Sequence, residues 1–400
     1  MKTRPSLRMR GVSLIELMIA LAIGTLLVLG LVEVFAASRV SYQLSEGMSR
    51  VQENGRFAVD YLQRDIRMAG HFGCVNDQAH ARQDPAGLST TFAATPASGL
   101  LFGVSIQGYE ALDTEPGKTV TLSETPTTNG INWTPALPVD IADKITDRVN
   151  GSDIIVLRYL APEGVPVTSI GGTAAEPIFN FDASRWDVLR SGVANPGLFA
   201  VADCMSAAVF QAAGGGATDG ANGIIAVGGT ASAPNNVVAF SKVFTPGQAT
   251  LFRAESVVYY VGLNDEGEPS LYRLRFVAEP GETIDSQKEE LVEGIENMQM
   301  LYGQDREIDP TKSPSGYIEQ LETANGIQAS ATPTPADAWR RVGSVQVGLV
   351  GVSPDRAAAM QAGAANELMA MGVKFAAPND GRYRTAYQST LALRNRLYGN

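Results

Sequence analysis

The sequence predicts an α+β fold: a long N-terminal helix, apolar in its first half and amphipathic in its second, followed by a β-rich head. Three observations carry this. Residues 12–37 contain only Glu16 and Glu33 as charged groups. From Val40 to Ala69 apolar residues recur at helical spacing, with no proline between Ser6 and Asp84. Beyond Gly70 the chain is rich in turn formers, and 41 Gly and 21 Pro in 400 residues exceed ordinary usage.

The apolar run comes first. Its length suits a bilayer span, which needs roughly 20 apolar residues as a helix. Lys2, Arg4, Arg8 and Arg10 precede it with no acid among them, which places the N-terminus on the cytoplasmic side. A secretory signal peptide is one alternative, but its apolar region would be about 7–15 residues ending in an A-x-A-like site. Here the run is longer and closes on Val34-Phe35-Ala36. A plain membrane anchor is the other alternative, and it has no use for Glu16. A carboxylate at that depth costs roughly 2.5–3.5 kcal/mol unless it is paired.

The segment Arg10-Gly11-Val12-Ser13-Leu14-Ile15-Glu16-Leu17 resembles the class III leader of type IV prepilins and type II secretion pseudopilins. That resemblance implies cleavage after Gly11 by a prepilin peptidase and methylation of the new N-terminus at Val12. It also makes Glu16 the fifth mature residue. Val12 stands where the family usually has Phe. Cleavage would create a positive α-amine at the membrane face, and the Glu16 carboxylate of the same or a neighbouring subunit could neutralise it, relieving both desolvation costs. The implied organisation is a leader over 1–11, a transmembrane half-helix over 12–37, an amphipathic half-helix over 38–69, and a β-rich periplasmic head of one or two sub-units over 70–400.

The amphipathic stripe is Val40, Leu44, Met48, Val51, Ala58, Leu62, Ile66 and Ala69, with Arg39, Gln43, Glu46, Arg50, Glu53, Arg56, Asp60, Arg64 and Asp65 between. Gly55 lies off this stripe and reads as a weakness. A helix from Val12 to Ala69 would be roughly 87 Å long at 1.5 Å per residue. In the pilin arrangement its second half packs beneath the head. Gly70 is a suitable stop.

In the head, strand-like runs fall at 100–106, 153–159, 198–202, 237–240, 256–261, 271–277, 345–349 and 387–393, the last two alternating. Asn264-Asp-Glu-Gly267 reads as a hairpin turn. Residues 357–371 read as a short helix, and 214–229 and 329–336 as flexible loops. Four segments resemble minor pilins of the PilW type: Asp65–Cys74, Ala202–Cys204, Leu291–Gly303 and Leu391–Asn395. The resemblance implies a minor pilin that primes or caps a type IV pilus with other minor pilins and the major pilin, held in the inner membrane. A type II secretion pseudopilin and a pilus-tip adhesin or DNA-binding module are the alternatives. It also puts the head in an oxidising periplasm, where Cys74 and Cys204 are expected to form a disulfide.

Catalytic, metal and cofactor sites are not expected. His71, His80, Cys74 and Cys204 are all the His and Cys present, at spacings unlike a zinc site. Pro116-Gly-Lys-Thr119 has a P-loop ending, but Leu112 stands at its first glycine. His71 near Cys74 suggests a Cys–His nucleophile less than it suggests a disulfide partner. Asp305, Glu307 and Asp309 have calcium-loop spacing, yet Pro310 replaces the turn glycine and Gly316 the closing glutamate. A net charge of -11 argues against nucleic acid. Only Lys374, Arg382, Arg384, Arg394 and Arg396 could make a local basic patch, for DNA or an acidic partner pilin.

Overall fold

Ser13 starts the long helix for a local reason. Its hydroxyl accepts from the N–H groups of Ile15 and Glu16 at 3.2 and 3.5 Å, while Glu16 Oε2 accepts from the Ser13 N–H at 2.9 Å. This reciprocal capping box satisfies donors that would otherwise be orphaned. In the computed structural model, which describes residues 12–75, 87–218, 221–309, 312–329, 334–356, 368–393 and 395–396, the helix then runs unbroken over Leu14–Met68. That is roughly 80 Å.

Among the described residues the strands form sheets of thirteen, four and three. The large sheet is organised on strand Thr250–Leu263, buried along nearly its whole length. Its first residues pair with Leu198–Ala202, its middle with Ile154–Leu160 and its end with Pro269–Val277, all antiparallel. Asp285–Glu293 extends that edge beyond Pro269–Val277. The four-stranded sheet is antiparallel, in the order Ile318–Glu322, Ile295–Asp305, Val342–Arg356, Arg382–Ala392. One apolar core, including Leu62, Ile66, Val257, Tyr259, Met298, Val347 and Leu391, joins the helix to both sheets.

Most of the expected strands are present, including the Asn264–Gly267 hairpin, whose Gly267 has φ +80°. Three readings need correction. Residues 100–106 are not a strand until Ile106, because the buried Arg158 guanidinium gathers the Ser98 and Val104 carbonyls at 2.6–3.0 Å and bends the segment around itself. Residues 237–240 make no ladder, since the N–H groups of Val237 and Val238 both donate to the Thr91 carbonyl at 2.9 Å. Residues 214–229 are largely a hairpin, not a loop: Ala207–Thr218 pairs with Asn222–Val227, and a Cβ on Gly223 would lie 2.3 Å from the Phe181 ring. Of the helix expected at 357–371, residues 357–367 lie outside the described residues. Met369–Ala370 is a short strand that turns through Met371 and Gly372, both at positive φ, into Val373–Ala376.

The helix stripe also starts later than its apolar spacing suggests. Val40 is exposed, Leu44 and Met48 are half-buried, and the buried positions are Gly47, Val51, Gly55, Ala58, Leu62, Asp65 and Ile66. Gly55 is central to this seam rather than a flaw in it. A Cβ there would sit 2.3 Å from the Tyr387 ring, and one on Gly351 would sit 2.9 Å from Val51. Glycine on both surfaces lets helix and sheet approach. Gly55→Leu is therefore expected to destabilise the protein by roughly 1–3 kcal/mol through overpacking, despite leucine's better helix propensity. Adding Tyr387→Ala should recover most of that loss, read from urea unfolding of the full chain in detergent.

Candidate assembly interface

The described structure divides the helix into two lengths with different surroundings. From Leu14 to Tyr42 it is exposed almost throughout, presenting Leu17, Ile19, Leu21, Leu26, Leu31 and Phe35 at more than half exposure. Its apolar part, residues 14–37, is roughly 36 Å of helix with no covering protein, and this is the one described helix long and apolar enough to cross a membrane. Val12 is 75% exposed just ahead of it. Glu16 lies one turn in, its carboxylate turned back toward the N-terminus by its bond to Ser13 N–H. Val12 and Glu16 both lie at the exposed start of the helix, while Gly11 lies outside the described residues. Ser13-x-x-Glu16 is a capping-box signature, and Ser13 serves as the helix N-cap.

The second length is clamped by polar contacts as well as packing. Asp65, 4% exposed, accepts from Tyr259 Oη at 2.6 Å and pairs with Arg273 Nη1 at 3.4 Å. Arg273 also holds Glu289 at 2.7 Å. Burial, with the Asp65 carboxylate beside it, pushes the Tyr259 hydroxyl well above the usual tyrosine range, so it stays a donor. Earlier on the helix, Asn54 Nδ2 donates to the Glu293 carbonyl at 2.9 Å. At its end Asn395 Nδ2 donates to the Arg67 carbonyl at 3.1 Å, satisfying one of the orphan C-terminal acceptors. The tail segment 391–395 therefore fastens the helix end.

The 291–303 segment has an equally concrete role. It ends one sheet at Glu293, turns at Gly294 (φ +76°) and begins Ile295–Asp305 of the other. Asn297 Nδ2 and Gln299 Nε2 both donate to the Gly151 carbonyl, at 2.8 and 3.0 Å. The N–H groups of Met298 and Met300 donate to Ser152 Oγ and Asp153 Oδ2, at 3.0 and 2.8 Å. Glu296 and Asp380 together enclose Arg384, with contacts of 2.6–3.1 Å. The bonds from Asn297 to Met300 tie the two sheets at their junction, and the Arg384 contacts brace the four-stranded sheet beside it.

Cys74 and Cys204 are joined by a disulfide with Cα atoms 4.7 Å apart and a sequence separation of 130. It ties the turn after the helix to the segment following strand Leu198–Ala202.

A family model described as type IV pilus-assembly protein W, PilW, matches residues 258–395, and one for the prokaryotic N-terminal methylation motif matches residues 7–32. The first covers the strands that cradle the helix and the junction between sheets; the second covers the free apolar tip. Together these two matches support a type IV pilus-associated minor pilin of the PilW type. No curated protein and no solved structure matches it significantly.

Several other readings resolve in this pilin. Of the side chains that could have made a basic patch, most are not free on the surface. Arg384 and Arg396 are buried, Arg396 donating to the Val342 and Trp339 carbonyls at 3.1 and 2.8 Å. Arg382 is spent on Ser353 O and Glu268, and Arg394 lies outside the described residues. Asp305 is a loop organiser: its carboxylate accepts from the N–H groups of Glu307, Ser315 and Gly316 and from Ser315 Oγ, at 2.7–3.0 Å. Cys74 is consumed by its disulfide, leaving His71 no thiol to activate. His80 lies outside the described residues.

Two predictions concern stability. Cys204→Ser is expected to cost about 2–5 kcal/mol, the usual range for removing a native disulfide, measured by denaturation of oxidised protein. Burial alone would raise the Asp380 carboxyl, but its bonds from Arg384 win and hold it below the usual carboxylate range. A depressed folded-state pKa contributes stability above the unfolded value, near 4, and that contribution is lost as pH falls through the folded one. Asp380→Asn should therefore cost roughly 1.5–3 kcal/mol at pH 7. The gap from wild type should narrow at pH 3 in the same unfolding assay.

Proposed function

We propose that this pilin is cut between Gly11 and Val12 by a prepilin peptidase, with its head on the periplasmic side of the inner membrane. There it joins other minor pilins and the major pilin to prime or cap a type IV pilus. The observation that carries this reading is the uncovered apolar half-helix, continued without a break into a clamped half, with the Glu16 carboxylate bonded back to the Ser13 N–H near its tip. An apolar surface of that extent is stable only in lipid or in a bundle of similar helices. Within such a bundle an uncompensated Glu16 carboxylate would be costly, and the α-amine freed at Val12 is its natural partner. The match to the PilW family supports the pilus over a secretion pseudopilus.

Co-expression with a prepilin peptidase, followed by intact mass and N-terminal sequencing, should give a chain beginning at Val12, with one extra methyl if the amine is modified. Glu16→Ala should be cut normally yet enter sheared pili at a tenth of the wild-type level or less. A deletion strain should lose surface pili while still exporting proteins. A chain that still begins at Met1, or undiminished incorporation of Glu16→Ala, would count against the proposal.

A further inference from the structure

A second cluster of charge on the helix-facing side of the large sheet takes no part in the seam. Arg253 and Glu255 lie two residues apart on Thr250–Leu263, and Arg275 stands on the neighbouring Pro269–Val277, opposite Val257. Glu255 serves both arginines: Oε1 pairs with Arg253 Nη2, and Oε2 lies 3.1 Å from Arg275 Nε. The Arg253 and Glu255 side chains are each 6% exposed, and that of Arg275 is 24% exposed. Among the described residues neither arginine meets another carboxylate, and Arg253 Nε donates to nothing. Two guanidiniums present two charges and ten N–H donors; one carboxylate supplies a single charge and about four acceptor sites. Burying that excess is expensive unless an anion completes it.

Beside this cluster opens a cleft of about 200 Å³, lined by both arginines, Gln287, Leu198 and Phe276. Glu279, the exposed acid at the cleft, accepts from Asn195 Nδ2 at 2.8 Å. The volume lies below the roughly 300–1,000 Å³ of sites for drug-sized ligands, which limits the occupant to a group of a few carbons. Guanidinium forks match carboxylate geometry, and the apolar wall provides for a short carbon chain. We propose that this cleft binds a carboxylate, whose charge completes the arginine pair and whose carbon chain rests on Leu198 and Phe276. The same chemistry can come from a free small acid or from a Glu side chain of an adjoining subunit.

The test uses the full chain in detergent micelles, titrated with sodium propionate, N-acetylglutamate α-amide or sodium phosphate against sodium chloride at matched ionic strength. Binding is followed by calorimetry and by the thermal midpoint, which a ligand of the folded state raises. Propionate should bind saturably where chloride does not. Arg275→Gln should weaken that binding at least tenfold. Glu255→Gln should strengthen it about tenfold, because the competing carboxylate is gone, whereas a purely structural cluster would simply lose stability. If Arg275→Gln does not fold, Arg275→Lys with Glu255→Gln carries the comparison. N-acetylglutamate α-amide binding tenfold tighter than propionate would assign the site to a protein side chain; equal affinities would assign it to a free acid. The proposal is overturned by no saturable binding, by binding that these substitutions leave unchanged, or by binding of phosphate alone.

Discussion

Asp65 is a carboxylate with 4% exposure on a helix whose other half is bare, and the geometry of the whole pilin hangs on how that charge is held. Tyr259 donates to it, Arg273 neutralises it, and Glu289 fixes Arg273 from the far side. A buried charge of this kind adds little net stability compared with an apolar replacement, but breaking its pairing is costly. It therefore acts as a register. Leucine and isoleucine contacts alone would tolerate a helix sliding or rotating by a residue; Asp65 tolerates neither.

Glycine sets the distance and the polar contacts set the position. Gly55 and Gly351 let the helix lie close against the sheet, and the side chains of Asn54 and Asn395 bond across from each end of the docked length. The free apolar half is thereby a direct continuation of a fixed axis. A subunit joined to others through that half carries its head in a defined orientation, which is what an assembly role demands. The disulfide adds a tie at the point where the helix gives way to the head.

The head itself is two sheets sharing a core, and their junction is polar. Asn297, Gln299, Ser152 and Asp153 make bonds that leave their buried groups satisfied. Such networks cost little when complete and much when one member is lost. Much of the basic charge near the C-terminus is likewise invested inside, as Arg384 between Glu296 and Asp380 shows.

Local chemistry alone determined the long helix, its membrane-length apolar half, the leader pattern and the alternating strands near 345–349 and 387–393. Each depends on spacing within one turn or one pleat, which the order of residues displays directly. Ser13 was legible in the same way through its Glu16 partner. Other features were decided only in three dimensions. Residues 100–106 and 237–240 have strand-like composition, but Arg158 and Thr91 claim their backbone groups from far along the chain. Gly55 reads as a weak point in a helix until Tyr387 is brought against it. The C-terminal arginines read as a surface patch until their carboxylate and carbonyl partners close around them. In most of these cases the deciding partner is dozens to hundreds of residues away, and proximity of that kind follows from sheet pairing and packing, which local spacing does not encode.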